Sequence, residues 1–156
     1  VKSPPGVRRA LLYEDPFAVI LRNDHPLGAR RRLDLETFVA QKHVLVNVEG
    51  RGEGPVDRAL AKLGKTREIE LRVPHFSSAL LAVAESDCIC TIAASVAERG
   101  RELFGLRVVP SPLALPAAGI VALWPRRHEA DPASLWFRNL FLSDELRPRV
   151  GKANRR

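Results

Sequence analysis

The stretch HVLVNVEGRGEGPVDRALAKLGKTREIELRVPHFSSALLAVAESDCICTIA (residues 43–93) decides the fold. It opens with HVLVNV (43–48), a short apolar run of strand length. A glycine-rich turn follows, Gly50-Arg51-Gly52-Glu53-Gly54. Pro55 suits the first position of a helix, where its missing N–H costs nothing. Val56, Leu60 and Leu63 then fall on one helical face, and Gly64 is the expected stop. REIELRV (67–73) alternates: Ile69, Leu71 and Val73 point one way, Glu68, Glu70 and Arg72 the other. Such alternation predicts a half-exposed strand near a sheet edge. Pro74 ends it, and Phe76, Leu80 and Val83 recur at helical spacing. DCICTI (87–92) reads as a buried strand. Strand, turn and helix thus repeat, the signature of an α/β fold.

The alternation extends outward on both sides. FAVILR (17–22) is a short apolar run before the turn signal Asn23-Asp24-His25-Pro26. Asp34 opens a short helix with Leu35, Phe38 and Val39 on one side. Downstream come a helix at about 93–103, a strand at 106–109, and Pro110, Pro112 and Pro116. GIVALW (119–124) reads as a last strand. Asp131-Pro132 starts a last helix, whose apolar residues are Leu135, Phe137, Leu140 and Phe141. The expected architecture is a mostly parallel or mixed sheet flanked by helices. Ligands of such sheets bind beyond the carboxyl ends of the strands, here the turns after Val48 and Val73. Each turn feeds a helix whose first N–H groups lack intrahelical partners and favour an anion such as a carboxylate.

The 156 residues suit one domain, or one domain and a piece of another. No apolar window is long enough for a membrane span, and the N-terminus VKSPPGVRR has no secretory core. The absence of methionine predicts a processed or excised chain. The net charge of +7 is mainly terminal: Arg147, Arg149, Lys152, Arg155 and Arg156 occupy the last ten residues without an acid. Removing them leaves 20 basic residues against 18 acidic, a net of +2, so the tail reads as a solvated end rather than a sequence-reading surface. Cys88 and Cys90, two apart on a strand, are expected on one face as buried, reduced thiols. Two thiols make half a structural zinc site, and the four histidines lack the spacing of a helical zinc pair. Neither a metal nor a cofactor is expected. Ser77, His75 and Asp87 could form a hydrolytic triad on paper, but no Gly-x-Ser-x-Gly elbow holds them. A reading of Gly50-x-Gly52-x-Gly54 as a dinucleotide loop lacks the usual final spacing.

Five residues are candidates to meet a ligand. His75, at the strand-to-helix turn, could pair with a carboxylate or phenol, or could only cap the turn. Phe76 could wall a pocket or join the core. Asn47 stands beside the glycine turn. His43 opens a strand, where a packed structural role competes with a ligand role. Trp124 ends an apolar strand and could line a cleft or pack in the core. Arg30, Arg31 and Arg32 form the densest internal basic cluster, read as a solvated loop.

The pattern LLYEDPFAVILRNDHPLGARRRLDLETFV (11–39) resembles the LysR-type transcription regulators, at the passage into the second subdomain of their regulatory domain. HVLVNVEGRGEGPVDRALAKLG, LRVPHFSSALLAVAESDCICTIAASVAE, LRVVPSPLALP and ALWPRRHEADPASLWFRNLF are similar to the rest in order, over about residues 8–142. Val73-Pro74-His75-Phe76 is similar to the subgroup that senses small aromatic acids such as salicylate. The resemblance departs before CICTI, where Glu85-Ser86-Asp87 replaces a frequent Gly-x-Gly, and after it, where Ala93 replaces a Pro. It implies two α/β subdomains around an effector cleft, of periplasmic-binding-protein-like (type 2) fold, with an N-terminal helix-turn-helix that reads DNA. On that reading 1–20 is an entering segment of a partial first subdomain, 21–108 a complete second subdomain, 109–146 a returning segment and 147–156 the basic tail. The implied partners are a small-molecule effector, further copies in a dimer or tetramer, and DNA through a headpiece outside this chain. The implied setting is the cytoplasm, without membrane or catalysis. A fragment of a periplasmic-type solute-binding protein is the rival reading.

Overall fold

The computed structural model describes residues 4–47 and 53–143; the basic tail and the glycines at 50 and 52 lie outside them. Strand β1 (Val7–Asp15) is followed after Pro16 by β2 (Phe17–Leu21). Then come α1 (Leu35–Val39), β3 (Lys42–Val46), α2 (Pro55–Ala61), β4 (Glu68–Val73), α3 (Phe76–Ala84), β5 (Ile89–Ala93), α4 (Ala94–Phe104), β6 (Arg107–Pro110), β7 (Ala118–Pro125) and α5 (Pro132–Leu142). The chain forms two compact units: Pro16–Pro116, and the segments on either side of it.

The unit 16–116 is built on a five-stranded sheet in the order β4-β3-β5-β2-β6. β3 runs parallel to β4 and β5, and β2 runs antiparallel to β5 and β6, so the sheet is mixed. Strand pleating sends alternate residues to opposite faces. On one face Ala18, Ile20, Val44, Cys90 and Ile92 pack with Leu80 and Val83 of α3 and Ala97 of α4. On the other, Val19, Leu21, Ile89 and Val109 pack with Phe38 of α1 and Val56 and Leu60 of α2. Both thiols are free and buried on the first face, as their spacing predicts. Burial pushes the Cys90 thiol up to about 12, which keeps it protonated and unreactive. Gly100 lets α4 approach α3: a Cβ there would meet Leu80 Cδ2 at 2.7 Å. Gly105, at φ 63°, ends α4 in the left-handed conformation that glycine tolerates best.

The flanking segments form a smaller unit. β1 and β7 pair antiparallel, with an irregularity between Leu11 and Tyr13. A 3-10 turn at Arg126–His128 leads to α5, whose N-cap Asp131 accepts from Ser134 N at 2.7 Å. β1 has no counterpart in the sequence reading: VRRALLYED mixes charge with apolar residues without clean alternation. In α5 the one buried residue is Arg138, while Leu135, Trp136, Phe137, Phe141 and Leu142 are exposed.

Candidate functional site

The parallel strands β4, β3 and β5 end along one edge of the large sheet, at Val73, Val46 and Ala93. Asn47 N donates to Val73 O at 2.9 Å and ties the first two ends together. Ala94 N donates to Pro16 O at 2.7 Å and ties the third to the start of β2. Helices α3 and α4 begin at this edge. His75 is the N-cap of α3, with the extended backbone (φ −124°, ψ 145°) usual at that position. Its carbonyl accepts from Ala79 N at 3.2 Å, but its ring makes no cap bond. Ala93 caps α4 and has no side-chain acceptor to offer.

The starts of the other helices differ. Asp34 caps α1, accepting from Thr37 N at 2.8 Å. Asp131 does the same for α5, and the Asp57 carboxylate accepts from Gly54 N at 2.8 Å at the start of α2. The Thr37 bonds hold the Asp34 carboxyl below its ordinary value. Each of these starts thus carries an internal anion, whereas α3 and α4 have neither a side-chain cap nor an acid in the first turn. Both helices begin at the same edge, and a helix start without an internal acid favours an external carboxylate.

His75 and Phe76 are exposed at this edge, Phe76 by 50%. Asn47, half-buried, lies one residue beyond β3. The structure adds Thr91, whose Oγ1 is buried without a hydrogen-bond partner, two residues before the end of β5. The sequence signal for it was a lone hydroxyl inside CICTI.

His43 lies in different surroundings. It is fully buried, its Nε2 bonds Phe38 O at 2.9 Å and its Nδ1 meets Arg67 Nη1 at 3.2 Å. Since the guanidinium can only donate, Nδ1 is the acceptor and Nε2 carries the proton. Both ring nitrogens are therefore used within the fold, and none is left for a ligand. Burial, with the Arg67 charge, lowers its pKa to about 4. Arg67, 2% exposed at its side chain, also makes a fork with Asp57: Nε to Oδ1 at 2.7 Å and Nη2 to Oδ2 at 3.2 Å. Burial pushes the Asp57 carboxyl up, and the bonds from Arg67 and Gly54 outweigh it and hold the group below its ordinary value. The chain Phe38–His43–Arg67–Asp57–Gly54 thus fastens α1, β3, β4 and the start of α2 into one polar cluster.

Trp124 is in the smaller unit. Arg138 Cζ lies 4.7 Å from its ring centroid, a cation–π contact that covers one face. Arg138 also donates to His128 O at 3.1 Å, Glu129 O at 2.6 Å and Ser134 Oγ at 2.8 Å, closing the turn between β7 and α5. The triad drawn from Ser77, His75 and Asp87 is not assembled. His75 opens α3, while Asp87 follows its far end and is held by Arg22, Nη2 to Oδ1 at 2.7 Å. Among the described residues no group of three or more His, Cys, Asp and Glu side chains could hold a metal, and no helix is long and apolar enough to cross a membrane.

Comparison with known proteins matches this architecture. The LysR substrate binding domain model covers residues 1–145. The HTH-type transcriptional activator NahR of Pseudomonas putida is 34% identical over 135 residues, 86% of this chain and 45% of NahR. NagR of a Ralstonia species is 33% identical over 137 residues, 88% of this chain and 45% of NagR. The chain therefore spans about half the length of the curated relatives it matches. Among solved structures, the regulatory domain of MexT, a transcriptional activator in Pseudomonas aeruginosa, superposes with a TM-score of 0.77 at 27% identity, over 90% of this chain and 68% of that one. The effector binding domain of QuiR, solved with shikimate, shares the fold at 17% identity, with a TM-score of 0.68 over 91% of this chain and 66% of that one. These matches favour a regulatory domain over a transport protein, and the chain belongs to the LysR substrate-binding domain family, with its periplasmic-binding-protein-like α/β fold.

Proposed function

We propose that this chain is the effector-sensing part of a DNA-binding transcription regulator of the cytoplasm, and that it binds a small aromatic carboxylate without transforming it. The observation that carries the reading is the pair of helix starts at one sheet edge, α3 and α4, that lack the internal acid present at the other three. A carboxylate supplied from solution would complete them. His75 would donate to that carboxylate or to a ring hydroxyl, Phe76 would lie against the ring, and Asn47 and Thr91 would supply polar contacts. The resemblance of Val73-Pro74-His75-Phe76 to the aromatic-acid subgroup supports the ligand class. In this reading His43 and Trp124 serve the fold: the first through Arg67, the second through Arg138. Effector binding would bias closure or self-association of the intact regulator, and so the spacing of its DNA-binding heads.

Calorimetric titration of the chain with salicylate and with cyclohexane carboxylate tests this. The aromatic acid is expected to bind more tightly, and His75→Ala to weaken it by about tenfold, the cost of one charge-assisted hydrogen bond. Equal binding to wild type and to His75→Ala would remove His75 from the site. A lack of binding by any aromatic acid would overturn the ligand class.

A further inference from the structure

At the opposite, amino edge of the large sheet, residues 22–34 form a long connection without helix or strand, yet it is closely fastened. Long ordered loops of this kind are uncommon and are often functional. Buried His25 is one anchor: Leu27 N donates to its Nδ1 at 3.1 Å, and its Nε2 donates to Asp87 O at 2.9 Å. Arg107, at the start of β6, is the other. Its guanidinium spends two donors on backbone carbonyls, those of Gly28 and Arg30. Between these anchors and α1 stand Arg30, Arg31 and Arg32, all exposed.

Among the described residues some cations are paired with carboxylates and others, such as Arg58, are not. Arg22 is paired with Asp24 and Asp87, Lys42 with Glu70, Lys65 with Glu36, and Arg99 with Glu102. Among the described residues Arg31 and Arg32 pair with no carboxylate, while Arg30 donates to Thr37 Oγ1 at 3.4 Å and its charge acts on Asp34. The nearby acid, Asp34, is committed to Thr37 as the cap of α1. The fold therefore holds Arg31 and Arg32, beside Arg30, on a fastened segment, and it uses a further arginine to do so.

We propose that the Arg30–Arg32 loop is a docking surface for the phosphate backbone of double-stranded DNA. The chemistry favours phosphate over an acidic protein surface. Protein interfaces draw their affinity from apolar or aromatic anchors, and the other exposed residues of this loop, Asn23, Asp24, Pro26, Gly28, Ala29 and Asp34, include no large apolar or aromatic side chain. Phosphate contacts need no such anchor: guanidiniums bind phosphate oxygens, and displaced counterions supply the driving force. The loop and the effector edge are separated by the length of the strands, about 17 Å for five residues, so one unit could engage both ligands at once. The inference does not depend on the effector reading, since it concerns the other edge of the sheet.

The test is the salt dependence of binding between the 156-residue chain and a mixed-sequence duplex, read by fluorescence anisotropy. If Arg31 and Arg32 each neutralise a phosphate, the double variant Arg31→Ala/Arg32→Ala loses about two units from the slope of log K against log salt, and about tenfold or more in affinity at low salt. Its thermal midpoint is expected to match wild type, because both side chains are exposed. The control Arg99→Ala/Arg101→Ala removes the same charge from paired positions on α4 and is expected to leave the slope unchanged. An unaltered slope in Arg31→Ala/Arg32→Ala overturns the proposal, as does an equal drop in the control. Tighter binding to poly-glutamate than to the duplex at matched salt would assign the loop to an acidic protein instead.

Discussion

The two units use their apolar residues in opposite ways. In 16–116, two helical layers cover a five-stranded sheet, and Phe38, Ile20, Leu60 and Ile92 are almost wholly removed from water. In the flanking unit, a two-stranded ribbon carries one helix; Trp136 is 68% exposed and Phe137 56%, while the buried side chain of α5 is a cation. A two-stranded ribbon has too little surface to bury such a helix on its own. The difference teaches that hydrophobic pattern locates a helix but does not say what covers it. It also locates the stability of the chain in 16–116, the unit that carries both the proposed effector edge and the basic loop.

The largest expected effect sharpens that contrast directly. Phe38→Ala should cost about 3–5 kcal/mol of unfolding free energy, through lost transfer energy and an unfilled cavity. Denaturant titration of the 16–116 transition measures it. Next is Arg67→Met, which leaves the partly buried Asp57 carboxylate and the His43 acceptor without their donor; about 3 kcal/mol is expected. A loss below about 1 kcal/mol would show that the polar cluster does not fasten the unit.

Protonation of His43 gives an effect of similar ceiling that grows with falling pH. Its folded pKa of about 4 lies below the ordinary 6.5, so the unfolded chain takes up the proton first. Stability is therefore fully present above 6.5 and declines as pH falls toward 4, by at most about 3 kcal/mol. The variant His43→Gln should flatten that decline in urea titrations at stepped pH; an unchanged slope would assign it to other groups. The smallest effect is expected in the other unit. Phe137→Ser, at an exposed position, should change unfolding free energy by less than about 0.5 kcal/mol, while lowering self-association in sedimentation, because it removes exposed apolar surface. A loss of several kcal/mol there would erase the contrast between the units.

Much of this was legible from residue order. REIELRV was readable as the edge strand β4, though the strand is irregular at Glu70 and Leu71, expected to point inward with Ile69 and Val73, is exposed; the Cys88–Cys90 spacing placed both thiols on one buried face. Asp34 and Asp131 were readable as helix starts because their carboxylates cap the following N–H groups. Other features were hidden for physical reasons. β1 pairs with a strand more than a hundred residues away, and its charged residues mask the pattern. His43 and Arg67 meet only when β3 and β4 lie side by side, 24 positions apart in sequence. His25 read as part of a turn, yet it is buried and bonded at both nitrogens. At the candidate site, His75, Phe76 and Asn47 followed from the strand-to-helix turns and the resemblance. The contrast between capped and uncapped helices needed the structure, because an absent cap is visible only once every helix start is known.

An aromatic carboxylate bound at the carboxyl edge of the five-stranded sheet, as proposed, would perturb the amides around it. The most direct measurement is the backbone amide spectrum of the chain during titration with salicylate. The largest shifts are expected to cluster at Asn47, at His75 to Ser78 and at Ala94 to Val96, with little change around Arg31. Shifts confined to β1, β7 and α5, or no saturable shift at all, would contradict the proposal.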